Sequence, residues 1–279
     1  MDVETHNQTQ SKAKSWIQAM RLRTLPLALA CTTTGGFLAF NDGGFSVLIF
    51  ALTGLTTVLL QINSNLANDY GDFEKGTDND SRVGPQRALQ SGAIQPVEMK
   101  VGIATFSALS FFCGAILLWL APIDLLSKAT LLLAGVAAIY ASVRYTTGHK
   151  PYGYRGLGDV YVMLFFGLLG VIGSYFVQTS AMNFWVLLPA IALGCLSAGV
   201  LNVNNTRDLE SDKASGKITL AVRLGAENAR KYHVILIAVA IDCMLIFGWY
   251  NFSRWTQWLF VLAFPLLLLN AAKVYRTNE

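Results

Sequence analysis

Two stretches of this 279-residue chain concentrate carboxylates and carboxamides beside long apolar runs. The first reads NSNLANDYGDFEKGTDND and supplies Asn65, Asn68, Asp69, Asp72, Glu74, Asp78 and Asp80. The second reads NVNNTRDLESDKASGK and supplies Asn202, Asn204, Asn205, Asp208, Glu210 and Asp212. Residues four apart share a helix face, so Asn68 and Asp72 are expected to point one way, and Asp208 and Asp212 likewise. Both groups close apolar runs, at helix C-termini, where the dipole disfavours negative charge. A cation should offset that. Oxygen-only donors suit a hard divalent ion, and Mg²⁺ typically takes one or two carboxylates together with substrate phosphates. Two such clusters facing each other suit a diphosphate bridged by metal ions. Ordinary charged loops would account for any single acid. They do not account for Asn65 and Asn68, which carry polarity back into an apolar run at a desolvation cost usually tolerated for function.

Lys75, Arg82, Lys217 and Arg223 stand close to these acids in the sequence, and Arg144 and Lys150 lie between the two stretches. Such cations neutralise phosphate oxygens as a leaving group departs, although membrane orientation alone explains each of them equally well. The segment TTGHKPYGYRGLGDV contains Gly153, Gly156 and Gly158, a broken GxGxxG. No strand precedes it, so a dinucleotide fold is not expected; a flexible lid over a cavity fits better. His6, His149 and His233 show no zinc spacing, and no G-x-S-x-G elbow occurs. No nucleic-acid partner is expected.

The elements that must position these groups are membrane spans. The chain is 53% hydrophobic and 14% charged, with a mean hydropathy of +0.45, whereas soluble domains carry about 25% charged residues. That excludes a disordered chain and argues against a large soluble one. The four cysteines sit inside apolar runs and read as small hydrophobes. A spanning helix takes roughly 20 apolar residues. Eight such runs begin near Thr24, Val47, Val101, Lys128, Val160, Phe184, Ala229 and Trp255. They end near Phe40, Asn68, Leu120, Tyr145, Gln178, Asn205, Tyr250 and Tyr275. The polar opening MDVETHNQTQSKAKSW has no signal-peptide core, so the first run is expected to insert and remain. Of the 21 Lys and Arg residues, only Lys128 and Arg254 fall on one side of this layout. By the positive-inside rule both termini, and both acidic clusters, are predicted on the cytoplasmic side.

Asn68 and Asn204 lie 136 residues apart, as do Asp72 and Asp208, and the first and fifth runs start at about the same offset. The chain therefore reads as two copies of a four-helix unit entering from the same side. The expected fold is an all-α polytopic bundle of eight helices around a central cavity. Residues 1–23 form a cytoplasmic N-terminal segment and 24–279 the transmembrane domain.

NDYGD together with DLESD resembles the paired Asp-rich motifs of the UbiA superfamily of intramembrane prenyltransferases. RTLPLALA, LQINSNLANDYGDFEKGTDND, PYGYRGLGDVYVMLFFG and LNVNNTRDLESDKASGKITLAVRLG are similar to its bacterial members that act on 1,4-dihydroxy-2-naphthoate in menaquinone synthesis. The resemblance runs from about Trp16 to the end. In the superfamily's NDxxDxxxD motif Asn68, Asp69 and Asp72 match; the last position is Gly76, with Asp78 two residues later. DxxxD matches at Asp208 and Asp212. The family usually has nine helices; eight are read here. The resemblance implies a bacterial inner-membrane enzyme that binds Mg²⁺ and polyprenyl diphosphate at a cytoplasmic mouth. It would transfer the prenyl group to 1,4-dihydroxy-2-naphthoate with loss of CO₂ and diphosphate, giving a demethylmenaquinone. Asn68, Asp72, Asp208 and Asp212 would form the metal shell and carry catalysis, with Asp69 and Asp78 as further ligands. Lys150, Lys217 and Arg223 would bind diphosphate, with Arg82 and Arg144 behind them. Another acceptor such as 4-hydroxybenzoate stays open, as does a transporter, for which Asp242 would be the acid at mid-membrane depth.

Overall fold

The computed structural model describes residues 12–77, 87–149 and 151–277. Asp78, Asp80, Arg82 and Lys150 lie outside the described residues.

All regular structure among the described residues is helical. A short helix, α1 (12–20), precedes eight long ones: α2 (Leu25–Asn41), α3 (Val47–Glu74), α4 (Pro96–Leu120), α5 (Leu125–Arg144), α6 (Gly158–Thr179), α7 (Phe184–Arg207), α9 (Leu220–Asn251) and α10 (Trp255–Arg276). A six-residue helix, α8 (Leu209–Ala214), sits between α7 and α9. Seven of the eight are long and apolar enough to cross a membrane. The remaining one, α2, has 17 residues and spans about 26 Å at 1.5 Å per residue. The chain is a multi-pass membrane protein.

Local chemistry sets the helix starts. The Ser46 hydroxyl accepts from the Ile49 N–H, the Asp124 carboxylate from Leu126 and Ser127, and the Thr219 hydroxyl from Val222. Glu98 reaches back to the Gln95 N–H and caps α4 five residues before the apolar run begins. Capping likewise starts α9 at Leu220, well before Ala229, and a kink at Gly225 (φ 75°) lets the amphipathic first turn turn into the span.

Many large apolar side chains face outward, among them Trp119, Leu125 and Leu262. In lipid this carries no penalty, so the helices are held together by close packing of small residues instead. A Cβ at Gly35 of α2 would lie 2.2 Å from the Val171 carbonyl oxygen of α6, and one at Gly167 of α6 would lie 2.9 Å from Gly194 Cα of α7. Residues 163–173 of α6, which include both crossings, form a π-helix, a widening often found beside functional sites.

α3 and α7, the second elements of the two halves, lead into the acidic motifs: the first lies on the last turns of α3, and the second runs from the end of α7 through Asp208 into α8. Helix α3 continues through NDYGD to Glu74, which places Asn68 and Asp72 on one face, one turn apart. Gly71 inside that motif has a packing duty. A Cβ there would fall 2.3 Å from Thr146 Oγ1 and 2.6 Å from the Thr146 carbonyl carbon. Thr146 in turn donates to the Ala67 carbonyl at 3.0 Å. Gly71→Val is expected to destabilise the protein by about 2 kcal/mol or more, read as a lower melting temperature in detergent. An unchanged melting temperature would show that the 145–147 turn can yield.

Candidate active site

The end of the bundle that carries the motifs brings both halves of the chain to one point. The Asp72 carboxylate, 8% exposed, accepts the Tyr154 hydroxyl on Oδ1 at 2.9 Å and faces the Lys217 ammonium from Oδ2 at 3.5 Å. The same ammonium stands 3.6 Å from Asp212 Oδ1. One cation thus links a carboxylate of the first half to a carboxylate of the second. Burial pushes the Asp212 carboxyl up to about 6; Lys217 opposes this, and the nearby Asp208 and Asp72 charges add to it.

The other predicted acids have different surroundings. Asp208 stands at the junction of α7 and α8 and takes a bidentate grip from Arg207, with both nitrogens at 2.7 Å. Its carbonyl accepts the Asp212 N–H at 2.8 Å, so the helix break at Asp208 places Asp212 on a new first turn. Asp69, 1% exposed, faces away into a pair of guanidiniums, hydrogen-bonded to Arg21 and 3.4 Å from Arg87. The lateral amide of Asn65 ties α3 to the preceding turn through the Met20 carbonyl and the Thr24 hydroxyl, at 2.8 and 3.0 Å. That is the structural reason for one of the asparagines set in an apolar run.

Among the predicted cations, Lys217 lies between the carboxylates. Arg223 braces the loop that carries Tyr154, donating to the Arg155 carbonyl at 2.8 Å and packing on Gly156. Arg144 stacks near the Tyr140 ring and closes over Gly148. Sequence reasoning did not single out Tyr154, Tyr145, Arg21 or Arg87. Tyr154 is held by Thr77 at 2.6 Å and carries Lys217 and Lys75 at 5.5 and 5.9 Å from its ring centroid. Burial raises the hydroxyl pKa of both Tyr154 and Tyr145, and the charge of Asp72 raises each further, so both remain protonated donors at neutral pH. The only sequence signal for Tyr154 was the cluster of Gly and Tyr residues around it.

Below this mouth lies a cavity of about 390 Å³ whose wall is mostly apolar. Asn68 and Asn204, the pair separated by 136 residues, both line it. So do Tyr145, Tyr152, Tyr161 and Phe165, which form a continuous aromatic wall with Tyr152 and Tyr161 stacked at 3.8 Å. Deeper, the lining passes to Phe111, Leu117, Leu131 and Val177. Asp242 is exposed on the outer surface of α9 and is not part of this wall.

The donors present fit a hard divalent cation. Asn68 Oδ1 is buried with no hydrogen-bond partner, at the cavity edge and one helical turn from Asp72. Among the described residues no three His, Cys, Asp or Glu side chains are grouped so as to hold a metal ion by themselves.

A polar, cation-bridged mouth over an apolar cavity, built from two repeated halves, is the architecture of an intramembrane prenyltransferase. Residues 28–279 match the UbiA prenyltransferase family, and the chain belongs to that family. Among its relatives is the Haemophilus influenzae protein named 1,4-dihydroxy-2-naphthoate octaprenyltransferase, 48% identical over 96% of this chain and 88% of that one. The Escherichia coli K12 protein of the same name is 43% identical over 96% and 87%. In fold, the chain resembles a UbiA homologue from Archaeoglobus fulgidus whose structure was solved with GPP and Mg²⁺. The TM-score is 0.67 at 18% identity, covering 94% of this chain and 86% of that one.

Proposed function

We propose that this protein transfers a polyprenyl group from polyprenyl diphosphate to 1,4-dihydroxy-2-naphthoate, releasing diphosphate and CO₂ and giving a demethylmenaquinone. The observation that carries the reading is the convergence of Asp72 and Asp212, one from each half, on Lys217 above a cavity with an apolar wall. The relatives at 48% and 43% identity supply the acceptor.

Asn68, Asp72, Asp208 and Asp212 would hold Mg²⁺. When bound, the ion would neutralise the diphosphate oxygens and so favour cleavage of the allylic C–O bond. Lys217 adds a mobile positive charge at the same point. Tyr154 fixes the Asp72 carboxylate by its hydroxyl. The apolar depth of the cavity takes the isoprenoid tail and excludes water from the allylic cation. The aromatic wall of Tyr145, Tyr152 and Tyr161 lies between mouth and tail, where ring faces stabilise positive charge and can lie flat against a naphthalene ring. The mouth faces the cytoplasm of a bacterial inner membrane in this reading, since the motif-bearing end carries nearly all Lys and Arg.

The test is an assay in membranes with radiolabelled polyprenyl diphosphate and either 1,4-dihydroxy-2-naphthoate or 4-hydroxybenzoate. Label is expected to pass to the naphthoate, to depend on Mg²⁺ and to stop with EDTA. Transfer to 4-hydroxybenzoate alone, or undiminished transfer in EDTA, would overturn the reading.

A further inference from the structure

The ammonium of Lys217 occupies the point that a bridging cation would take between the two halves. Its distances to Asp72 and Asp212, 3.5 and 3.6 Å, are nearly equal and longer than a good charged hydrogen bond. The ammonium is therefore placed by charge rather than locked by geometry. Its backbone, in contrast, is fixed. The Lys217 N–H donates to the Asp212 carbonyl at 2.8 Å, Gly216 turns the chain at φ 73°, and the Ile218 N–H donates to the Tyr154 carbonyl at 3.3 Å. A flexible four-carbon stem on a rigid turn can move its charge without moving the turn.

Both carboxylates are buried, 8% and 3% exposed, and they come from different halves of the chain. With no cation between them their repulsion would push the halves apart. We propose that Lys217 is the site's own counter-cation. In the ligand-free enzyme it holds Asp72 and Asp212 together, and it gives them up to the arriving divalent ion and re-pairs with the diphosphate. The exchange is favourable because a divalent ion carries twice the charge and binds carboxylate oxygens at about 2.0–2.1 Å, far closer than the ammonium. The lysine is then left beside the anion on which charge develops. This inference rests on the metal–diphosphate chemistry proposed above but not on the identity of the acceptor. Lys217 is a positioning residue for the carboxylates before it touches substrate.

The experiment measures Mn²⁺ binding by electron paramagnetic resonance on the full-length protein in detergent, without prenyl substrate. Wild type is compared with Lys217→Met, Lys217→Gln and Lys217→Arg, and melting temperature is recorded in EDTA. In EDTA the Met and Gln variants are expected to melt below wild type. They are expected to bind Mn²⁺ about tenfold more tightly, because no ammonium competes for the carboxylates. With inorganic diphosphate added, they should lose part of the further stabilisation that wild type gains. Lys217→Arg should follow wild type in all three measurements. Unchanged or weaker Mn²⁺ binding in both neutral variants overturns the proposal, because a lysine serving only diphosphate, or only folding, would not oppose the metal. A protein that showed the expected Mn²⁺ pattern but no prenyl transfer would retain this inference and lose the functional reading.

Discussion

Asp72→Ala is expected to lower prenyl transfer by about 10³-fold, the scale on which a site loses one group that acts on developing charge, while the protein stays folded. Asp72 has both oxygens committed, one to Tyr154 and one to Lys217, and it is the carboxylate through which the first half reaches the second. Its removal leaves neither partner stranded. Lys217 keeps Asp212, and Tyr154 keeps Thr77. Size-exclusion profile and melting temperature in detergent should therefore stay close to wild type. Asp72→Asn keeps the volume and an acceptor for Tyr154 but removes the charge, and it should lose nearly as much activity. Wild-type turnover in either variant would remove Asp72 from the metal shell.

Asp69→Ala should fail differently. This carboxylate lies only three residues away on the same helix, yet it is closed off between Arg21 and Arg87 and is 1% exposed. Its truncation takes from the buried Arg21 guanidinium the carboxylate it is bonded to, a change that costs about 3–5 kcal/mol. A sharp fall in yield and melting temperature is expected, before any question of turnover arises. Asp69→Ala combined with Arg21→Met should recover part of the loss, because it removes the Arg21 charge together with its partner. If Asp69→Ala melted like wild type but was inactive, Asp69 would belong to the chemistry and the arginines would be incidental.

The contrast between Asp69 and Asp72 shows what spacing alone could and could not reveal. Hydropathy located eight runs because lipid requires long uninterrupted apolar stretches, and the 136-residue offset anticipated that Asn68 and Asn204 would meet at one cavity. The i, i+4 rule put Asn68 and Asp72 on one face, and α3 continues far enough to keep them there. Asp208 and Asp212 keep the same spacing across a helix break that the sequence did not reveal: Asp208 caps α8, and the Asp212 N–H donates to its carbonyl. Helix starts shifted wherever capping preceded the apolar run, as at Glu98 and Thr219. The partners of Asp69 were not legible, since Arg21 and Arg87 come from segments distant in sequence and only packing brings them together. Nor was the role of Gly71, whose missing side chain is defined by Thr146 some 75 residues later. The wide π-turn of α6 leaves no periodic trace in so uniformly apolar a segment.

The loop between the two halves acts as more than a connector. Tyr154 reaches back to Asp72 and Thr77 by its side chain and forward to Ile218 by its carbonyl, while Arg223 grips the residue after it. The join between the halves therefore works as a keystone: moving it would shift the grip on Asp72 and the turn that carries Lys217 together, so the spacing across the mouth is set from the middle of the chain.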